Sequence, residues 1–177
     1  DGGQIGVLHY LREHLRQRPQ ADHTLLIGPY EHFSMQTGVP PVIQGYAVDP
    51  VARIDLQALR LAWFDHVLKG APKPELLADR INWQAMGTDS WRHASTLEAM
   101  ASRSQRLYLV PGATADAHAL SAQPQAQASV IQHVDYRDRS DAGWTQPANV
   151  LNPNLERNVG LVFVGDALTR DTELAGA

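Results

Sequence analysis

Apolar residues recur at helical spacing in the first part of the chain. Within residues 5–16 the apolar positions fall on one face and the charged positions on the other, which predicts a helix that follows Gly2 and Gly3 and ends before Pro19. Residues 24–28 then form a short apolar run between polar residues. A run of this length between helical segments is typical of a buried strand in a parallel sheet.

A second helix is predicted over residues 51–68. Asp49 is its candidate N-cap, Pro50 suits its first position, and Gly70 suits its C-terminal end. Residues 29–50, before this helix, form a long loop rich in Gly, Pro and aromatic residues, and loops of this kind often carry function. The order helix, strand, loop, helix is that of an α/β fold.

From residue 81 the pattern changes to strands separated by long polar stretches. The alternating or apolar runs that predict strands are 81–87, 106–110, 160–164 and, more weakly, 130–136. This half is predicted to be all-β, but it has fewer strands than the roughly seven of a β-sandwich, so we expect an incomplete sandwich. Pro72 and Pro74 interrupt the helical pattern, which predicts domains at residues 1–75 and 76–177.

Composition excludes several classes of protein. Hydrophobic residues make up 44% and charged residues 19%, as in ordinary globular chains. With 15 Lys and Arg against 19 Asp and Glu, the net charge is −4, so no nucleic-acid partner is expected. The absence of cysteine excludes disulfides, Cys-ligated metals and a cysteine nucleophile. No apolar run approaches the roughly 20 residues that span a bilayer, so no membrane partner is expected either.

The polar residues predict neither a metal site nor a cofactor. His9 and His14 are five positions apart, which does not place them on one helical face. Asp135, Asp138 and Asp141 do not match the spacing of a calcium-binding loop. Solvated polar loops are the simpler interpretation of these residues.

His32 is the strongest candidate for chemistry. It follows the predicted strand by a few residues, where open α/β sheets collect functional groups, and imidazole has an ordinary pKa of about 6.5 that suits a general base. An ordinary loop histidine is the alternative. Asp1 precedes Gly2, Gly3 and a helix, and an acid followed by a histidine is the chain order of α/β-hydrolases. Asp1 equally suits the N-cap of that helix.

The nucleophile for such a pair is missing. None of the eight serines lies in a G-x-S-x-G motif. Ser34 is too close to His32 in sequence to lie on a strand-to-helix elbow, and Ser140 lies in a polar loop. In the chain order of hydrolases the serine comes before the acid, so it would precede Asp1. The sequence begins with Asp1 and not with Met. We therefore expect the chain to be part of a longer polypeptide and to be inactive by itself.

Several segments occur in a fixed order along the chain. They are Asp1 with the glycines after it, GPYEH at 28–32, WFDHVLKG at 63–70, and, in the β half, 81–92, 106–109 and 161–176. In this order they resemble the α/β-hydrolases of the cocaine esterase and X-prolyl dipeptidyl-peptidase group (CocE/NonD hydrolases). Asp1 matches the end of the family's G-W-Y-D motif, and His32 matches G-P-W-x-H, with Tyr30 where Trp is usual.

The resemblance implies a serine hydrolase that cleaves ester or amide bonds, acyl or peptidyl, with a Ser-His-Asp triad. Asp1 would be the triad acid and His32 the base. Residues 1–75 would be the C-terminal part of an α/β-hydrolase domain, and residues 76–177 the N-terminal part of a jelly-roll β-sandwich. The implied partners are a small ester, amide or peptide substrate, the remainder of the parent polypeptide, and a second copy in a homo-oligomer. Substrate identity and localisation stay open.

A non-catalytic module is the alternative from a different class. A β-rich domain that binds carbohydrate or a protein partner would use exposed aromatic residues, and Trp91 and Trp144 are the candidates. Tryptophan is nevertheless more often a core residue than a binding residue. The residues expected in the core by default are Trp63, Phe64, Leu68 and Trp83.

Overall fold

The computed structural model describes residues 2–114, 118–132, 135–137 and 160–175, with side chains from residue 6 onward. Helices and small sheets occur together in this part of the chain, so the fold is mixed α/β. The described residues form two compact units, one from residues 2–39 and 49–100 and one from residues 40–48 and 101–175. Each helix within the described ranges is too short or too polar to traverse a bilayer.

The elements follow one another in mixed order. The helices are α1 (Gly2–Gln17), α2 (Ser34–Thr37) and α3 (Leu56–Lys69), with single 3-10 turns at Pro50–Ala52, Glu75–Leu77 and Glu98–Met100. The strands are β1 (Leu25–Ile27), β2 (Val42–Ile43), β3 (Tyr46–Ala47), β4 (Ile81–Ala85), β5 (Ser90–Ala94), β6 (Tyr108–Val110) and β7 (Ala119–Ser121). Strands β2 and β3 and helix α2 all lie inside the predicted loop over residues 29–50.

The two predicted helices are present with different starting points. Helix α1 begins at Gly2, so the glycines lie within the helix and not before it. Helix α3 begins at Leu56, because Asp55 and not Asp49 is its N-cap: the Asp55 carboxylate accepts a hydrogen bond from the Ala58 amide at 2.9 Å. Gly70 ends this helix in the left-handed conformation, with φ of 72°, as expected of a C-terminal glycine.

The first unit is built on a three-stranded sheet in the order β1-β4-β5. Strand β1 pairs with β4 in parallel, with Leu25 opposite Ile81, which confirms the parallel pairing, but its three residues are half-buried and not buried as predicted. Strands β4 and β5 form an antiparallel hairpin. The strand predicted from residue 81 is confirmed but ends at Ala85, and all five of its residues are buried although apolar and polar residues alternate along it. A strand flanked on both edges and covered on both faces buries its polar positions as well.

The polar residues buried in β4 are hydrogen bonded. The Asn82 amide group donates to the carbonyl oxygens of Leu25 at 3.2 Å and Asp79 at 2.8 Å. Its side-chain oxygen accepts from the Asp79 amide at 3.1 Å and lies 2.8 Å from Nδ1 of His93. Asn82 therefore joins β1, the turn before β4 and β5 through one fully buried side chain.

The core positions expected along α3 are only partly correct. Trp83 on β4 is buried, with 8% of its surface exposed, but Phe64 and Leu68 are 50% and 74% exposed. The buried face of α3 is instead carried by Leu56, with Trp63 half-buried on the same side two turns later. Phe64 and Leu68 lie off this face because helical periodicity separates them from it.

The second unit contains two small antiparallel pairs. Strands β2 and β3 are joined by Gln44 and Gly45, both at positive φ, which is the backbone of a tight hairpin turn. Strands β6 and β7 form the other pair. Residues 108–110 of the strand predicted over 106–110 are confirmed, whereas residues 160–164 contribute only an isolated bridge between Val164 and Ala119. The described residues of 130–136 form no strand.

The two compact units divide the chain at a different place from the predicted domains. Strands β4 and β5 follow the predicted boundary at residues 75 and 76, yet they form one sheet with β1. The units themselves separate after Met100. These units describe contacts within this chain, and the assignment of residues 1–75 and 76–177 to two domains of a longer polypeptide stays a prediction.

Candidate functional site

The loop between β1 and α2 leaves the sheet through a tight turn at Gly28. The Tyr30 amide donates to the Gly28 carbonyl at 2.8 Å, and the Tyr30 ring folds back over Gly28. A Cβ atom at residue 28 would lie 2.4 Å from a ring carbon of Tyr30, far inside van der Waals contact. A glycine is therefore needed at this position because the aromatic ring occupies the space of a side chain.

Ser34 closes the next part of the loop. Its hydroxyl oxygen accepts a hydrogen bond from the Glu31 amide at 3.0 Å, and its own amide donates to the Glu31 carbonyl at 3.1 Å. The Ser34 side chain is 1% exposed. This reciprocal pair fixes the backbone on both sides of His32 and Phe33 and turns these two side chains outward.

His32 is exposed at the tip of this closed loop. Its ring packs edge to face on Phe33, with 4.8 Å between ring centroids. Among the described residues, no group hydrogen bonds to either ring nitrogen of His32. Both nitrogens are therefore open to groups outside the described residues.

Tyr30 holds the base of the loop through its ring and not through its hydroxyl. The hydroxyl is buried and has no hydrogen-bonding partner among the described residues. Burial raises the pKa of Tyr30 from 10.0 to about 12, since the phenolate loses solvation there. Tyr30 is thus a packing residue that stays protonated at physiological pH.

The structure does not place the acid of the predicted acid–histidine pair. Asp1 lies outside the described residues, and the first described position is Gly2, at the start of α1. The structure therefore shows the candidate base in its loop, and within residues 2–114, 118–132, 135–137 and 160–175 it brings no acid or nucleophile to it. Ser34, which the sequence excluded as a nucleophile, has a supporting role that sequence reasoning missed; a serine three residues after Glu31 is the pattern that would have indicated it.

A small apolar cavity lies beside the end of the same loop. It has a volume of about 160 Å³. Its walls include Leu26, Met35, Leu56, Arg60, Trp63 and Leu77. The Gln57 side chain donates to the Met35 carbonyl at 2.6 Å and ties α2 to α3 beside this cavity. The cavity is lined almost wholly by apolar groups, so it offers space for a hydrocarbon group and little to orient a polar one.

The aromatic residues of the binding-module hypothesis do not form a surface in the described part of the chain. Trp91 is half-buried, and its indole N–H donates to the Val51 carbonyl at 3.0 Å, which is a structural role. Trp144 lies outside the described residues. Asp135 is paired with Arg137 at 3.0 Å, while Asp138 and Asp141 are not among the described residues.

No metal centre of the usual size is present in the described ranges, where no three His, Asp or Glu side chains converge as metal ligands. The nearest approach to one is a contact between His14 and His23, which sequence reasoning missed because the two residues come from different elements.

No protein-family model, curated protein or solved structure matches this chain.

Proposed function

We propose that this chain is the part of a serine hydrolase that supplies the acid and the base of a Ser-His-Asp triad, with Asp1 as the acid and His32 as the base. The serine belongs to the remainder of the parent polypeptide. The substrate is a small ester or amide. Residues 1–75 are then the C-terminal part of a hydrolase domain, and residues 76–177 are the beginning of a jelly roll.

One observation carries the proposal. His32 lies in a short closed loop directly after the carboxyl end of β1, a parallel strand, and both of its ring nitrogens lack partners within the described part of the chain. Functional groups of open α/β sheets collect at this end of parallel strands. A buried serine and a tightly packed Gly-Tyr pair hold the loop backbone in place, while the imidazole stays exposed. This arrangement suits a residue that contacts external partners.

The mechanism assigns one role to each nitrogen. Asp1 accepts a hydrogen bond from Nδ1–H of His32 and so fixes the tautomer with a free Nε2. Nε2 takes the proton from the serine hydroxyl as its oxygen attacks the carbonyl carbon, and the imidazolium then returns that proton to the leaving alcohol or amine. Water repeats the sequence on the acyl-enzyme: Nε2 takes a proton from the water, whose oxygen attacks, and gives it to the departing serine.

Substitution of His32 in the parent polypeptide tests this proposal. His32→Ala should lower the rate of hydrolysis of an activated aryl ester by about 10⁴ to 10⁶. His9→Ala is a matched control, since His9 is also an exposed histidine but lies on α1. It should leave the rate within about twofold of wild type. Hydrolysis that survives in His32→Ala would show that the base is another residue.

The isolated 177-residue chain supplies a second test. Without a nucleophile it should hydrolyse the same ester no faster than its own His32→Ala variant does. A rate that depends on His32 in the isolated chain would contradict the assignment of the serine to another segment.

A further inference from the structure

A cluster of two histidines and a tyrosine lies away from the His32 loop. Tyr10 and His14 are one helical turn apart on α1, and His23 precedes β1. Nε2 of His23 lies 3.0 Å from Nδ1 of His14, and the Tyr10 hydroxyl oxygen lies 3.1 Å from the same Nδ1. Two potential donor atoms thus lie around Nδ1 of His14, which is itself a third.

The backbone holds the cluster together. The Arg18 amide donates to the His14 carbonyl at 2.7 Å, the Ala21 amide to the Arg18 carbonyl at 2.9 Å, and the His23 amide to the Ala21 carbonyl at 3.1 Å. These consecutive turns reverse the chain after α1 and return His23 to the last turn of the helix. The rings pack edge to face, with 4.7 Å between the centroids of His14 and His23.

The separation of the nitrogens matches that of two imidazoles on one metal ion. Imidazole nitrogens lie about 2.0 to 2.1 Å from Zn²⁺, so two of them at 90° to 109° are separated by about 2.9 to 3.3 Å. The observed 3.0 Å falls in this interval, as does the 3.1 Å to the Tyr10 oxygen.

We propose that Tyr10, His14 and His23 form a binding site for one divalent transition-metal ion of the Cu²⁺, Ni²⁺ or Zn²⁺ class, completed by solvent. His14 binds through Nδ1 and keeps its proton on Nε2, and His23 binds through Nε2 and keeps its proton on Nδ1. Tyr10 contributes its hydroxyl oxygen as a third, weaker ligand. The site would tie α1 to the segment that leads into β1.

The ligand types favour these ions over Mg²⁺ and Ca²⁺. The carboxylate nearest the cluster on α1, that of Glu13, accepts a hydrogen bond from Arg16 at 2.8 Å. Imidazole nitrogen suits borderline ions such as Cu²⁺, Ni²⁺ and Zn²⁺, whereas Mg²⁺ and Ca²⁺ require mainly oxygen ligands.

Titration of the full chain with CuCl₂ or ZnCl₂, followed by calorimetry, tests the proposal. The wild type should bind one ion per chain, and a tenfold excess of MgCl₂ should not compete. His14→Gln and His23→Gln should each weaken binding by at least tenfold, and Tyr10→Phe should weaken it by a smaller factor. His9→Gln is the matched control, because it removes an exposed histidine of the same helix, and it should bind as the wild type does.

A second measurement covers the event that a histidine variant fails to fold. In the wild type, substoichiometric ZnCl₂ should shift the imidazole NMR signals of His14 and His23 before those of the other histidines. Equal affinity in His14→Gln, His23→Gln and His9→Gln would overturn the proposal. Zinc-induced shifts spread evenly over all histidines would overturn it as well, and would show that the ion binds the surface without a defined site.

Discussion

Two parts of the same compact unit differ in the burial and hydrogen bonding of a polar side chain. In the β4–β5 hairpin, Asn82 is fully buried, and each polar atom of its side chain has partners in β1, β5 or the turn at Asp79. In the loop after β1, His32 is exposed and has no polar partner among the described residues. The first pattern is that of a residue that holds the fold, and the second is that of a residue kept available for external groups.

The difference shows which residues of the loop keep its backbone rigid. Its rigidity comes from Gly28, Tyr30 and Ser34, which are packed or hydrogen bonded within the loop, while His32 takes no part in it. Substitution of His32 should therefore leave the free energy of unfolding nearly unchanged. Substitutions in the hairpin and in the supporting residues of the loop should separate these two roles.

Asn82→Leu should have the largest effect on folding. It leaves the buried carbonyl of Leu25 and the amide of Asp79 without their partners, and unsatisfied buried groups cost about 1 to 3 kcal/mol each. The free energy of unfolding should fall by about 3 kcal/mol or more, measured by urea denaturation. Gln20→Leu, at an exposed position, should change it by less than about 0.5 kcal/mol. A small effect at residue 82 would show that the hairpin does not hold the unit together.

Gly28→Ala should destabilise the unit by about 1 to 3 kcal/mol, because the new methyl group displaces the Tyr30 ring. Gly6→Ala is the control within α1, where nothing lies within 4 Å of the added atom. It should stabilise the chain by about 0.5 to 1 kcal/mol through helix propensity. Thermal unfolding of both variants checks the opposite signs; a loss of stability in both, or in neither, would contradict the packing of Tyr30 on Gly28.

Ser34→Ala should lower stability by about 1 kcal/mol, since the Glu31 amide loses its side-chain partner. The more specific readout is hydrogen exchange at that amide, which should become faster than in the wild type. Ser95→Ala removes an exposed serine and should alter neither quantity. Unchanged exchange at Glu31 would mean that the loop is held by other contacts.

Tyr30→Phe should have the smallest effect at neutral pH, a gain of up to about 1 kcal/mol, because it removes a buried hydroxyl without a partner in the described part of the chain. The native state keeps the Tyr30 proton up to a pKa of about 12, against 10.0 for the ordinary side chain. The unfolded chain releases it first, so wild-type stability should fall as the pH rises from 10 to 12.

Spectrophotometric titration identifies that late step directly. Tyr30→Phe should lose one phenol that ionises at about pH 12, and its stability should decline less over the same pH interval. Tyr136→Phe, at a residue that is 85% exposed, should keep both features of the wild type. Ionisation of all tyrosines in one step near pH 10 would contradict the burial of Tyr30.

Local patterns predicted the helices and strands of the first unit but not the hydrogen bonds that connect them. The apolar run before Gly28 and the alternation after residue 80 indicated β1 and β4, because strand formation is visible over a few residues. The N-cap of α3 was assigned to Asp49, whose carboxylate instead accepts from Gln84 at 2.7 Å and from the Gly87 amide at 2.7 Å. Such partners are distant in sequence, and a local pattern carries no information about them.

The candidate site divides in the same way. The position of His32 after a strand was predictable, since strand ends and loops follow from periodicity. The support from Ser34 and the contact between His14 and His23 were not, because each depends on how the chain folds back. Burial of both faces of β4 likewise depends on its neighbours and not on its own alternation.

Labelling of the parent polypeptide with a fluorophosphonate probe tests the central claim most directly. We predict that the probe modifies one serine outside these 177 residues, identified by mass spectrometry, and that His32→Ala abolishes the modification while His9→Ala does not. A modified serine within these residues would contradict the account. So would the absence of any labelling, or labelling that persists undiminished in His32→Ala.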